Sequence, residues 1–155
     1  FGSILKIEET DGKHDALTFK PSIYLAGGEE TGFACPDNMA FDKAGNLWIT
    51  SDISGSLINK EPYIPFKNNG LFVVPRAGEQ AGQVIQMASA PGDAEFTGPF
   101  FAPDGKTLFL SVQHPGEYST GLDELTSHWP DGGDKIPRSA VVAITGKTLD
   151  ALQGS

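Results

Sequence analysis

Two sets of polar side chains bracket two similar segments of this chain. Asp37 and Asn38 open the segment PDNMAFDKAGNLWITSD and Asp52 closes it. Glu95 and Thr97 precede the segment GPFFAPDGKTLFLSVQ, which ends at Gln113 with His114 and Glu117 just beyond. In an antiparallel strand pair the start of the first strand and the end of the second lie at the same sheet edge, so each segment gathers its polar residues at one edge. If the first strand of each unit is innermost, both sets face one mouth of a central channel. Converging carboxylate and amide oxygens suit a hard cation such as Ca²⁺ or Mg²⁺, and carboxylates with a histidine also suit iron or another transition metal.

The elements that must position these residues are repeated. Gly45 and Gly105 occupy matching turns about 60 residues apart, slightly more than the common propeller repeats, and Leu47-Trp48-Ile49 matches Leu108-Phe109-Leu110. Short apolar runs separated by 19 glycines and 11 prolines read as strands with turn punctuation. The pattern predicts nine strands: 3–8, 22–26, 39–42, 47–51, 70–74, 84–87, 100–102, 107–112 and 140–144, with one helical turn at 148–152. The expected fold is all-β, a β-propeller fragment of about two four-stranded antiparallel blades. Residues 1–30 end one blade, 31–92 form a complete blade, and 93–155 start the next, with a long loop at 114–137. Such a piece is an incomplete ring with uncovered sheet edges, and the remaining blades must come from the same protein or another chain.

Composition excludes several classes of function. The 155 residues are 39% hydrophobic and 20% charged, a globular balance. Eleven basic against 20 acidic side chains leave a net charge of −9, which opposes attraction to nucleic acid or an anionic membrane surface. No apolar run reaches the roughly 20 residues of a membrane span. The single cysteine, Cys35, rules out an intramolecular disulfide and the Cys-rich zinc patterns. The start Phe1-Gly2-Ser3 has neither an initiator Met nor a signal-peptide profile, as expected of a mature or excised piece.

Four strings in this order, CPDNMAFDKAGNLWITSD, EFTGPFFAPDGKTLFLSVQHPGE, SHWPDGG and PRSAVVAI, resemble the C-terminal part of the PhoX-type bacterial alkaline phosphatases. The resemblance runs from about Leu25 to Ile144. It implies a propeller enzyme that binds Ca²⁺ and iron, hydrolyses phosphate monoesters and works in the periplasm or outside the cell. The family's iron-ligating cysteine sits in an N-terminal Cys-Ala-Gly-Gly type motif that nothing here matches, so the iron site is expected to be incomplete. Cys35 reads instead as a small apolar packing residue.

On this basis Asp37, Asn38, Asp52, Glu95 and Glu117 are the expected metal ligands, while His114 and Arg138 are expected to bind substrate. His114 could contact phosphate or position water, and the planar fork of Arg138 could clamp phosphate oxygens. Each has a plainer alternative: Asp37 and Asn38 as turn formers, Asp52 as a loop cap, His114 bonded to loop backbone, Arg138 as an exposed loop arginine. Asp42 and Asp104 read as ordinary residues of glycine turns, Glu8, Glu9 and Asp11 as a solvated hairpin tip, and Glu29-Glu30 as a loop. His128 and Trp129 read as loop packing. No P-loop, nucleophile elbow or HExxH helix is present. A gluconolactonase-like hydrolase would place similar donors around one cation, and a non-catalytic binding module would use the propeller rim alone; fold cannot choose between them.

Overall fold

A computed structural model describes residues 1–153. Its strands are β1 (Ser3–Glu9), β2 (Phe19–Ala26), β3 (Pro36–Phe41), β4 (Leu47–Ser51), β5 (Gly70–Val74), β6 (Ile85–Ser89), β7 (Glu95–Phe101), β8 (Leu108–Gln113) and β9 (Ala140–Ile144), followed by helix α1 (Lys147–Gln153). They pair in chain order into three antiparallel sheets, β1-β2, β3-β4-β5-β6 and β7-β8-β9. A complete four-stranded blade thus stands between two partial ones, a propeller fragment. No helix among the described residues is long and apolar enough to cross a membrane.

Burial shows how the sheets stack. Every residue of β4 and β5 is buried, because the middle sheet is covered on both faces. The period-two alternation of strands divides these residues between two cores. Leu47, Ile49, Phe72 and Val74 pack with Ile4 and Phe33 on one side. Trp48, Leu71 and Val73 pack with Phe96, Leu108, Leu110 and Val112 on the other, where Leu149 anchors α1. The outer faces of the flanking sheets are different: Leu5 and Ile7 in β1, Ile23 in β2 and Val141 in β9 remain exposed. Apolar side chains in that arrangement leave both outer faces of the stack uncovered among the described residues.

β3 and β7 each start earlier than the apolar pattern predicts, at Pro36 rather than Met39 and at Glu95 rather than Phe100. Both contain a register shift, between Pro36 and Met39 and between Thr97 and Phe100. A bulge breaks the in-out alternation and re-aims side chains, so the polar residues there do not read as strand although they belong to it. β2 likewise begins at Phe19 rather than Ser22. The expected C-terminal helical turn is longer by a residue at each end.

The turn between β3 and β4 is tied into the core. The buried Asp42 carboxylate accepts hydrogen bonds from the backbone N–H of Asn46 at 2.9 Å, from Asn46 Nδ2 at 2.8 Å and from Trp48 Nε1 at 2.9 Å. Asn46 extends the network, donating to the Leu152 carbonyl at 2.8 Å and accepting from the Arg76 N–H at 2.9 Å. Asp42 is therefore a buried hub, a correction to its expected role as an ordinary turn residue.

Candidate functional site

The polar residues at the two bulged strand starts converge across the boundary between the second and third sheets. In the second sheet Pro36 pairs with Ser51, and the N–H of Asp52 donates to the Cys35 carbonyl at 2.9 Å, which puts Asp37 and Asp52 at one sheet edge. In the third, Glu95 pairs with Gln113, and the His114 ring sits between two carboxylates. Its Nε2 lies 3.5 Å from Glu95 Oε1, and its Nδ1 lies 3.5 Å from Glu117 Oε2 and 3.2 Å from the Asp93 carbonyl. His114 has a left-handed backbone, φ 39°, a conformation uncommon for a residue with a side chain, and its N–H is fastened to Ser139 Oγ at 3.1 Å.

Glu95 is the electrostatic centre of this group. It is 8% exposed, and its Oε2 has no hydrogen-bond partner. Burial pushes its carboxyl above the ordinary value of 4.5; the negative charge of Asp52 and then that of Asp37 add to the rise, while His114 pulls partly the other way. A buried carboxylate oxygen left unpaired beside two further carboxylates is unfavourable until a cation arrives, so the donor set fits a hard metal ion in chemical type. Among the described residues, however, no three His, Cys, Asp or Glu side chains close around a common point.

A cavity of about 180 Å³ opens beside His114, lined by Asp52, Asp93, Glu117, Tyr118 and Asn69 among others. Gly55 makes the close approach of Tyr118 possible: a Cβ there would fall 1.7 Å from the Tyr118 ring. Asn69, just before β5, carries no signal of a site in the sequence, yet it organises the floor. Its Oδ1 accepts from the Ile53 N–H at 2.6 Å, and its Nδ2 donates to the carbonyls of Ile53 and Ala94, each at 3.3 Å. It thereby joins the residue after Asp52 to the residue before Glu95. Consecutive asparagines ahead of a glycine signal a turn, and only the three-dimensional pairing reveals that one of them is a buried strut.

Two expected site residues are otherwise engaged. Asn38 Oδ1, its only side-chain atom able to ligate a hard cation, accepts from Thr97 Oγ1 and from the Gly98 N–H at 2.7 Å, while its Nδ2 donates to Asp37 Oδ2 at 2.9 Å. It acts here as a clasp between the second and third sheets and orients Asp37. Asn38→Ala is expected to lower stability by about 0.5–1.5 kcal/mol, because water replaces the lost bonds only in part; urea unfolding checks this, and a loss under about 0.3 kcal/mol would mean that the clasp is idle. Arg138 forks onto Asp131, Nε to Oδ2 at 3.0 Å and Nη2 to Oδ1 at 3.1 Å, on an exposed part of the long loop. It lines neither this cavity nor the groove beside it, and would have to leave Asp131 to reach a phosphate. His128 bonds the Lys135 carbonyl and Trp129 packs on the core, both within the loop. Cys35 is half-buried beside a small cluster of Ala34, Ile53 and Phe66.

The comparisons bear on the whole of this arrangement. The family model for alkaline phosphatase PhoX matches residues 1–116, which include both bulged strands and every site residue up to His114. The fold is similar to the solved structure of Pseudomonas fluorescens PhoX in complex with vanadate, a transition state analogue, with a TM-score of 0.76 and 30% sequence identity. That similarity covers 96% of this chain and 27% of the other, so the chain spans about a quarter of that relative. No curated protein matches. Three-quarters of the sequence under one family model, and nearly all of it laid on the fold of one member, carry the same conclusion: this chain belongs to the PhoX alkaline phosphatase family.

Proposed function

We propose that this chain forms part of a metal-dependent phosphatase that hydrolyses phosphate monoesters at the mouth of a propeller channel. The observation that carries the proposal is Glu95, a buried carboxylate with an unpartnered oxygen set against Asp52 and Asp37, in a chain whose fold matches a vanadate complex. Glu95, Asp52 and Asp37 would hold the ion, with Glu117 and a freed Asn38 as further donors; Ca²⁺ suits the all-oxygen set, and iron would draw on ligands outside this chain. A cation bound there would neutralise phosphate oxygens and stabilise the departing alkoxide. Without one, this acidic edge repels a phosphate dianion.

The chain's own residues then have defined tasks. Asn69 and Asn38 fix the backbones and side chains that carry the carboxylates. His114, held between Glu95 and Glu117, presents a ring N–H that can donate to a phosphate oxygen or hold a water at the cavity. The remaining blades would cover the exposed outer faces and complete the ring, and the periplasm or cell exterior is the proposed location.

Metal content of the purified native assembly, paired with p-nitrophenyl phosphate hydrolysis, is the test. Chelation should cut turnover roughly a thousandfold, the rate equivalent of several kcal/mol of charge stabilisation, and Ca²⁺ with iron should restore it. Turnover that survives complete metal removal, or metal-loaded protein that never turns over, would overturn the proposal.

A further inference from the structure

The loop between β8 and β9 is built rather than loose. The Gly116 N–H donates to the Gly92 carbonyl at 3.1 Å, the Thr126 N–H donates to Ser119 Oγ at 3.1 Å, and Thr126 Oγ1 bonds Asp93. Its two ends meet at Gly116, whose φ is 74° and where a Cβ would lie 2.8 Å from the Pro137 ring. Between these ends runs an open groove of about 460 Å³, walled by Pro115, Leu122, Leu125, Ile136 and Pro137. Leu122 is 72% exposed and Ile136 62%, an apolar wall left facing water by a loop that hydrogen bonds hold in place. Long loops without regular structure in compact domains are commonly binding loops.

The groove does not stand apart from the candidate site. His114 and Glu117 line both the groove and the 180 Å³ cavity beside Asp52. The cavity is of a size for a phosphoryl group, whereas the groove is in the range of pockets that hold an organic ligand. A largely apolar groove that shares His114 and Glu117 with a polar cavity matches a molecule with a charged head and an apolar body.

We propose that this groove seats the apolar leaving group of the phosphate ester, so that esters of aromatic or long-chain alcohols are favoured over those of small polar alcohols. The proposal rests on the phosphatase function above and names the substrate class of that same site. In the hydrolysis, the phosphorus–oxygen bond to the alcohol is replaced by one to a water oxygen. The alcohol leaves with a proton, and its apolar part occupies the groove before and after that exchange.

The test compares binding of 1-naphthyl phosphate, methyl phosphate and 1-naphthol to the full chain with Ca²⁺ present, by saturation-transfer NMR, in the wild type and in a Leu122→Ser/Ile136→Ser variant. The naphthyl ester should bind at least about tenfold more tightly than the methyl ester, and the double variant should lose that preference while keeping its Tm. Equal binding of the two esters, or a preference that survives in the variant, would overturn the proposal. So would equal binding accompanied by a lowered Tm in the variant, which would assign the groove to polypeptide packing. Binding of 1-naphthol reports the groove without phosphate chemistry. If it binds and the variant abolishes it while no ester is turned over by the intact assembly, the groove stands and the phosphatase function falls.

Discussion

Glu95→Gln should make the metal-free chain more stable and the metal-loaded assembly nearly inactive. The carboxylate is buried with one oxygen unpaired, in the field of Asp52 and Asp37. The neutral amide keeps the shape, removes the repulsion and offers an N–H₂ donor to the neighbouring carboxylates. Relieving a buried, unsatisfied charge is worth about 1–2 kcal/mol at neutral pH. The same change removes a carboxylate donor from the proposed cation site, so phosphomonoesterase activity of the assembly should fall on the order of a thousandfold, the rate equivalent of about 4 kcal/mol. A stability gain with activity lost is a signature that a purely structural glutamate does not produce, since its loss destabilises.

The pH dependence has a definite sign. Because the folded carboxyl is held above its ordinary value of 4.5, the folded chain keeps its proton over a range in which the unfolded chain has released it. The unfolded state binds fewer protons there, so this group's contribution to stability is complete below about pH 4.5 and declines as pH rises toward the folded pKa. The difference in unfolding free energy between Glu95→Gln and wild type should therefore grow from pH 4 upward and then level off. Urea titrations of both proteins with chelator present measure it; a difference independent of pH would mean that Glu95 is not buried as a charge. Adding Ca²⁺ should reverse the order of stability, because binding to the folded state favours the wild type.

Much of the fold was written in apolar periodicity, and the gathering of polar residues at one sheet edge was written in the hairpins. All nine strands were legible because each carries an apolar run bounded by glycine or proline. The starts of β2, β3 and β7 were not. In β3 and β7 the bulges place Pro36–Asn38 and Glu95–Gly98 in strand with a broken alternation, and alternation is the signal by which a strand is recognised. The pairing of Glu95 with Gln113 followed from hairpin geometry, and so did the nearness of His114. What could not be read were hydrogen bonds between sheets and within the long loop. Asn38 looks equally like a ligand or a turn residue until Thr97 and Gly98 are brought against it. Arg138 looks like a phosphate clamp until Asp131, seven residues earlier, takes its fork. Spacing along a chain limits which residues share an edge; it does not say which polar atoms are already satisfied.

Asp42 and Asp104 sharpen that limit, and substituting them should produce very different losses. Both lie in the repeated turns, AFDKAG and APDGK, and both read as ordinary turn residues, but Asp42 directly follows β3 whereas its counterpart after β7 is Ala102, with Asp104 two residues further on. Asp104 is exposed and caps only the Lys106 N–H, at 2.9 Å, so Asp104→Ala should cost less than about 1 kcal/mol, since water replaces the bond. Asp42 is buried and satisfies three donors, two of them on side chains within the core. Asp42→Ala leaves the Asn46 N–H, one of the two Asn46 amide hydrogens and the Trp48 indole N–H without an acceptor, while the other amide hydrogen keeps the Leu152 carbonyl. At about 1–3 kcal/mol for every stranded donor, the loss should reach at least about 3 kcal/mol. Trp48 also packs edge-on against Phe101 of the neighbouring sheet, ring centroids 5.4 Å apart, so a loosened indole would weaken the joint between the second and third sheets as well as its own turn. Thermal unfolding followed by tryptophan fluorescence reads both effects. A loss at Asp42 no larger than that at Asp104 would show that the network is not a stabilising hub; a large one would mean that the blade holding Asp37 and Asp52 is pinned from its far end, at the turn, and that the site depends on a residue that never touches it.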